Sequence, residues 1–315
     1  MKSHGFILGN FAPFHAGHVF LIEQARSLCE ELTIFVTSQE SDAIPGWQRY
    51  HWVKSTFPEL DVRHLMGSTL VQLPESLIPK KSGSGSLTQL FESGEKQKAL
   101  AQSLGCKHVT IDPERKNFPT PTSTIRANPQ AHWYLLPRNV RPYYIRRIAL
   151  VGPESCGKSY LAEKLAEHFD TVFVEEYGRI YCEKFGMDST ELDFAHVAGG
   201  QLYHEDEMAL QANRLLFCDT DLIVTQVWSE VYFKGKCQPW IFWADHARCY
   251  DLFLLCAPDI PWVNDGLRAY EGQREWMFER LRRELESRGL RHEIIKGGLE
   301  ERTRMAIQAV EHLLN

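Results

Sequence analysis

The chain has 315 residues, 43% hydrophobic and 24% charged, with 41 acidic against 35 basic side chains. That length suits two folding units rather than one, the apolar share excludes a mainly disordered chain, and the formal net charge of −6 speaks against a dedicated nucleic-acid binder. Mean hydropathy is −0.32 and no apolar run reaches membrane-spanning length, which argues against an integral membrane protein. The opening MKSHGFILGNFAPFHAGH has neither a long apolar core nor a small-residue cleavage site, so it does not read as a signal peptide. Eight cysteines, at positions 29, 106, 156, 182, 218, 237, 249 and 256, form no C-x-x-C pair and no cluster with zinc spacing. They are expected to be buried free thiols in a reducing cytoplasm.

In chain order, the first element is the apolar run Gly5–Gly9. A Gly/Pro/His-rich turn follows, then VFLIEQARSLCEE, in which Phe20, Leu21, Ala25 and Leu28 recur on one helical face. LTIFVTS then reads as a buried strand, completing a βαβ unit with a parallel sheet and a right-handed crossover. The low-complexity stretch LIPKKSGSGSLTQ (77–89) is expected to be a flexible surface loop, and HVTID (108–112) a strand. ANPQAHWYLLPRNVRPYY, rich in Pro, Arg and aromatics, reads as a linker, placing a boundary near Tyr144 and domains at 1–143 and 144–315. A second βαβ unit opens there: the strand Ile148–Val151, a glycine-containing loop, an amphipathic helix and the strand TVFVEE. Further strands are expected at DLIVT (221–225) and DLFLLCAP (251–258), with a helix from Glu275 to Arg288 and a terminal helix near 300–314. The fold class is α/β throughout.

Gly152-Pro-Glu154-Ser155-Cys156-Gly157-Lys158-Ser159 satisfies G-x-x-x-x-G-K-[ST]. Such a loop curls so that successive backbone N–H groups point at phosphate oxygens, and the helix that follows directs its positive end at the same anion. Lys158 would reach the β/γ-phosphates and Ser159 would ligate Mg²⁺. A random chain of this length matches the pattern roughly once in a hundred tries, so the strand-before, helix-after context decides. A phosphoryl-transfer site also needs a carboxylate for the acceptor hydroxyl, an acid near the metal, and cations. Candidates follow successive strands: Glu175, Glu176, Tyr177 and Arg179; Asp219 and Asp221; Asp265 and Arg268; and Arg274, which opens the next helix, where a lid is expected. A solvated loop charge is the plain alternative for any one of these, and their grouping argues against it for the set.

The other motif is H-x-G-H, in Gly9-Asn10-Phe11-Ala12-Pro13-Phe14-His15-Ala16-Gly17-His18. Two imidazoles at a helix N-terminus make a site for the α- and β-phosphates of ATP and for charge building on leaving pyrophosphate. A core or capping role for one histidine is the alternative, as is metal ligation, for which no third ligand is apparent. The partner cation is expected from Arg126 in PTSTIR.

With both loops read, the chain resembles the bifunctional NadR-type family, a nicotinamide mononucleotide adenylyltransferase fused to a ribosylnicotinamide kinase. The resemblance covers nearly the whole chain and rests on GNFAPFHAGH, on TPTSTIR against the family's I-S-x-T-x-x-R, on ANP and the W-x-x-x-P-x-x-V-R-P linker, and on GPESCGKS, EEYGR, DTD-x-x-x-T and PWVNDGLR. It implies a Rossmann-like nucleotidyltransferase domain followed by a P-loop kinase domain. ATP and Mg²⁺ are the implied cofactors; nicotinamide riboside, the mononucleotide and NAD are the implied small-molecule partners. Neither nucleic acid nor membrane is expected, because Gly5 begins the first strand with no room for the family's helix-turn-helix; a homo-oligomer remains open.

Residue by residue, the resemblance implies that His15 and His18, with Arg126, hold ATP phosphates while the mononucleotide phosphate attacks the α-phosphorus. Gly9, Phe11, Gly17 and Ser123 would complete that nucleotide site. Gly152, Glu154, Ser155, Cys156, Gly157, Lys158, Ser159 and Arg268 would bind ATP in the second domain, with Ser159 and Asp219 on Mg²⁺. Glu175, Glu176, Tyr177, Arg179, Asp221 and Asp265 would surround nicotinamide riboside, Glu176 or Asp219 acting on its 5′-hydroxyl, and Trp262 would stack on the nicotinamide ring.

The first domain departs from the family pattern. Asn10 stands where Lys or Arg is usual, Pro121 and Ser123 occupy the signature's Ser and Thr positions, and a Trp-containing stretch between the residues matching Pro74 and Phe91 is replaced by the Lys/Gly/Ser-rich loop. Each change removes an interaction with phosphate or ring. The alternative to an active adenylyltransferase is therefore a degenerate NAD- or ATP-binding sensor that regulates the kinase. HxGH and the P-loop alone also admit another nucleoside for the kinase, or a cytidylyl or pantetheine-phosphate substrate for the first domain.

Overall fold

The computed structural model describes residues 3–67, 87–186, 189–263 and 271–314. It divides into two compact units, Met1–Tyr144 and Ile145–Asn315.

In the first unit β1 (Ser3–Gly9), α1 (Ala16–Ser27), β2 (Glu31–Ser38), α2 (Gly46–Thr56), β3 (Asp61–Met66), β4 (Leu87–Glu92), α3 (Lys98–Ser103), β5 (Lys107–Thr110) and α4 (Thr122–Ala127) follow one another. The described strands form a parallel sheet in the order β3-β2-β1-β4-β5. Strands covered on both faces read as near-continuous apolar runs, and Phe6, Ile7, Ile34, Phe35 and Val36 are all buried. Two expectations change here. The helix in VFLIEQARSLCEE stops at Ser27, because Glu30 N–H is drawn to Ser3 O and Glu31 already pairs with His4 in the sheet. The stretch 77–89 is not loop to its end: Leu87, Thr88 and Gln89 pair with Ser3, His4 and Gly5, and the remainder lies outside the described residues.

The second unit runs β6 (Arg146–Val151), α5 (Lys158–His168), β7 (Val172–Val174), α6 (Tyr177–Phe185), α7 (Glu191–Ala209), β8 (Leu215–Asp219), α8 (Leu222–Tyr232), α9 (Pro239–Ala247), β9 (Leu252–Cys256), α10 (Arg274–Ser287), β10 (His292–Ile295) and α11 (Leu299–Leu314). Its described strands form a second parallel sheet, in the order β10-β9-β6-β8-β7. Side-chain alternation along β6 divides the core: Ile148 and Leu150 pack with Leu161, Leu165, Ala306 and Val310 of α5 and α11, and Ala149 and Val151 with Ile223, Val227, Met277 and Leu281 of α8 and α10.

DLIVT (221–225) is not a strand. The strand is LLFCD at 215–219, and Asp221 caps α8 by accepting the Val224 N–H at 3.1 Å. Leu222, Ile223 and Val224 are all buried, so this helical turn is apolar on every side and carries no helical stripe to betray it. The described residues contain no helix long and apolar enough to cross a membrane. All eight cysteines are free thiols, but burial is not general: Cys156, Cys218 and Cys256 are buried, Cys29, Cys106, Cys182 and Cys237 half-buried, and Cys249 exposed at the surface.

Candidate functional site

Each sheet reverses its strand order at its first strand, β1 or β6, and each phosphate motif leaves the carboxyl end of that strand. A crevice opens at such a point in an open α/β sheet. In the second unit, Gly152 (φ +151°) lies so close to β9 that a Cβ would meet Cys256 O at 2.7 Å, and Gly157 (φ +83°) is the N-cap of α5. That helix has no side-chain cap and no acid in its first turn, which leaves its N–H groups and positive end for an anion. Lys158 turns back onto its own loop and donates to Gly152 O at 3.2 Å and Pro153 O at 3.1 Å. Burial opposes its charge, yet Cys156, Glu176 and Asp219 around it raise its pKa overall. Asp219, at the end of β8, is 1% exposed. Its carboxyl is pushed up to about 7 by burial and by the charge of Glu176, against the pull of Lys158 and a hydrogen bond with Ser159.

A cavity of about 310 Å³ opens on this loop. Glu154, Ser155, Cys156, Gly157, Lys158, Ser159, Glu176 and Arg179 line it, as the sequence reading grouped them. The rest of the wall combines an aromatic and aliphatic surface (Phe194 and Val197 from α7, and Val224, Trp228 and Tyr232 from α8) with polar side chains that include Asp193, Gln201, Thr220 and Thr225. Other expected residues lie elsewhere. Glu175 is exposed in a separate groove with His204, and the Tyr177 ring packs edge-on against His204. Asp221 is fully buried as the α8 cap. Trp262 is half-buried and outside the cavity lining, where Trp228 supplies the aromatic surface instead. Asp265 and Arg268 lie outside the described residues. Arg274 donates to Ile260 O and Ser155 O, both at 3.0 Å, and so ties the P-loop to the segment after β9.

The first unit builds its turn on two imidazoles. His15 is the N-cap of α1: its Nδ1 accepts the Gly17 N–H at 3.1 Å, while His18 Nδ1 accepts the His15 N–H at 3.3 Å. A ring nitrogen that accepts from a backbone N–H carries no proton, so both neutral imidazoles hold theirs on Nε2. His15 Nε2–H donates to Thr122 Oγ1 at 2.8 Å. Burial lowers the His15 pKa to about 4, and burial together with the adjacent His15 lowers that of His18, so both rings are neutral at pH 7. Gly9 closes β1, and the buried ring of Phe11 stands edge-on to His18 and Phe14. Ser123 is exposed on α4.

Two arginines brace the turn. Arg126 Nε donates to Ala12 O at 2.7 Å. Arg49, fully buried, donates to Asn10 O at 2.6 Å and Thr37 O at 3.1 Å and pairs with Asp42 at 2.5 Å. Arg49 is thus committed to carbonyls and does not replace the cation absent at position 10. Thr122 and Arg49 were missed by sequence reasoning, since both matter only through contacts across tens of residues. On α7, the spacing of Asp193, Val197 and Gln201 every four residues offered a signal for the second cavity's wall.

Residues 147–302 match the AAA domain family, and residues 6–56 the cytidylyltransferase-like family. The trifunctional NAD biosynthesis/regulator protein NadR of Escherichia coli K12 is 30% identical over 296 residues, covering 85% of this chain and 72% of that protein. Its counterpart from Salmonella typhimurium LT2 is 30% identical over 297 residues, with the same coverage. Among solved structures, NadR protein in complex with NR superposes with a TM-score of 0.83 at 24% identity, over 99% of this chain and 96% of that one. NadR protein with NAD and AMP-PNP gives 0.82, with the same identity and coverage. Two parallel α/β units, a P-loop and an HxGH turn at their switch points, and identity running through both halves have one reading: the chain belongs to the NadR family of NAD biosynthesis proteins.

Proposed function

We propose that the second unit phosphorylates the 5′-hydroxyl of nicotinamide riboside with ATP, and that the first transfers the adenylyl group of a second ATP to the resulting mononucleotide, giving NAD and pyrophosphate. The carrying observation is the cavity on the P-loop, whose lining brings the phosphate loop, Glu176 and Arg179 together with the aromatic side chains Phe194, Trp228 and Tyr232, as a flat ring joined through a sugar to a reacting hydroxyl requires.

In the kinase reaction, the P-loop N–H groups and the α5 N-terminus would hold the β- and γ-phosphates, and Lys158 would exchange its two loop carbonyls for phosphate oxygens. Glu176, in the cavity wall, would accept the 5′-hydroxyl proton. Asp219 and Ser159 suit Mg²⁺: Asp219 Oδ1 is buried without a protein partner among the described residues, beside a serine hydroxyl, and both are hard oxygen donors. Bound there, Mg²⁺ would neutralise charge on the phosphates.

In the adenylyl transfer, His18 would present its Nε2–H to the ATP phosphates, and His15 would exchange its Thr122 acceptor for a phosphate oxygen, so that both stabilise charge on the departing pyrophosphate. Arg126, exposed and anchored through Nε, would supply the cation. The Thr122–His15 hydrogen bond supports an active first unit over a degenerate sensor, since it provides a hydroxyl beside the position that Pro121 vacates. The test supplies purified protein with ATP, Mg²⁺ and either the riboside or the mononucleotide and follows products by chromatography. Absence of both mononucleotide and NAD from the riboside overturns the kinase assignment, and absence of NAD from the mononucleotide overturns the transferase one.

A further inference from the structure

Gln201 is 2% exposed in the α7 wall of the P-loop cavity. Its Oε1 accepts the Tyr177 N–H at 3.0 Å. Tyr177 is the first residue of α6, whose N-cap Glu176 makes no side-chain cap, so α7 satisfies an N–H that α6 cannot. The same helix makes room for the tyrosine, because a Cβ on Gly200 would fall 2.0 Å from its ring. A backbone N–H only donates, so the amide is held one way round, and its Nε2 has no partner among the described residues.

A second buried donor stands in the same cavity. Thr220 is 5% exposed, lies between Asp219 and Asp221, and donates its N–H to Leu150 O at 3.0 Å. Its φ is +74°, a costly conformation for a β-branched residue. Its Oγ1 also lacks a partner among the described residues. Native proteins rarely leave such groups unpaired in the interior, and each favours a ligand that pairs it.

Their position narrows the choice of ligand group. Along α7, Phe194 precedes Gln201 by seven residues, roughly 10 Å of helix. Along the chain, Thr220 precedes Val224, Trp228 and Tyr232 of the same lining, while Asp219 beside it contacts Ser159. Both donors are tied to residues beside the P-loop, Gln201 through the Tyr177 N–H next to Glu176 and Thr220 through its neighbour Asp219, and a nucleoside whose 5′-hydroxyl reacts there places its sugar next to them.

We infer that Gln201 and Thr220 hydrogen-bond the 2′- and 3′-hydroxyls of the ribose and make this kinase selective for ribosides over deoxyribosides. The inference rests on the cavity being a nucleoside site, as proposed above, and adds which part of the nucleoside is read and by what.

The experiment measures kcat/KM for nicotinamide riboside and its 2′- and 3′-deoxy analogues with the full chain, its Gln201→Glu variant and its Thr220→Val variant. Glutamate keeps an oxygen for the Tyr177 N–H and removes the donor; valine keeps the shape of threonine and removes the hydroxyl. The wild type should prefer the riboside by about ten- to a hundredfold over at least one deoxy analogue. Each variant should lose a similar factor on the riboside, mainly through KM, and lose little more on that analogue. Unchanged selectivity in both folded variants, or no selectivity in the wild type, overturns the inference. If the wild type phosphorylates other ribonucleosides but not nicotinamide riboside, the proposed substrate falls, and the same comparison on the accepted ribonucleoside decides the ribose contact. If no ribonucleoside is accepted, both fall.

Discussion

The P-loop and the HxGH turn of this chain leave equivalent places in two parallel sheets and are built by different means. The P-loop gathers charge: a buried ammonium, Lys158, with Glu176 and Asp219 close enough to shift its proton affinity. The HxGH turn carries no net charge at neutral pH in its two imidazoles, and its nearby arginines hold backbone carbonyls. One site is poised by electrostatics, and the other by fixing which nitrogen holds a proton. A lost cation such as that at Asn10 weighs less in a site of the second kind than a lost hydrogen-bond donor would.

The comparison breaks most visibly at its two centres. Lys158→Ala should lower riboside phosphorylation by roughly 10²–10³-fold or more while NAD formation from mononucleotide stays within about twofold, both read by product chromatography. Loss of both activities would mean that the two units do not work separately. His18→Ala should do the reverse, lowering adenylyl transfer by about 10²–10³-fold and sparing the kinase.

Thr122→Val sharpens the contrast, because it removes only the acceptor that orients His15 Nε2–H. Adenylyl transfer should fall by about two- to tenfold, the size of one neutral hydrogen bond. An unchanged rate would show that backbone contacts alone hold the ring.

The smallest effect is on stability, and its sign differs between the units. His15 has a folded pKa near 4 against an ordinary 6.5, so the unfolded chain takes up more protons as pH falls through that interval. The first unit should therefore lose stability between about pH 6.5 and 4, His18 acting in the same direction. Asp219 is raised from 3.8 to about 7, so the folded second unit binds the extra proton and this group's contribution falls as pH rises across that range. Hydrogen exchange at pH 5 and 7 in peptides from each unit should show opposite trends, reduced by His15→Gln in the first and Asp219→Asn in the second.

What was legible in the sequence follows the same division. A P-loop is contiguous, and eight residues between a strand and a helix identify it. The HxGH turn is contiguous too, but its supporting shell is not: Thr122 is 107 residues from His15, and Arg49 is 39 from Asn10. Apolar runs misled where burial is complete. DLIVT looks like a strand because a helical turn buried on every side keeps β-branched residues without a stripe, although Asp221, in position to cap Val224, was the available sign. Trp262 drew attention by lying beside a motif, whereas Trp228 lines the cavity one helical turn beyond Val224.

That both turns belong to one chain fixes a ratio. Every molecule carries one P-loop and one HxGH turn, whatever the level of expression. Under the two reactions proposed above, the steady level of the mononucleotide follows the relative turnover of the two sites and the nucleotide supply they share. A substitution that slows only the first unit should appear as accumulated mononucleotide at unchanged protein.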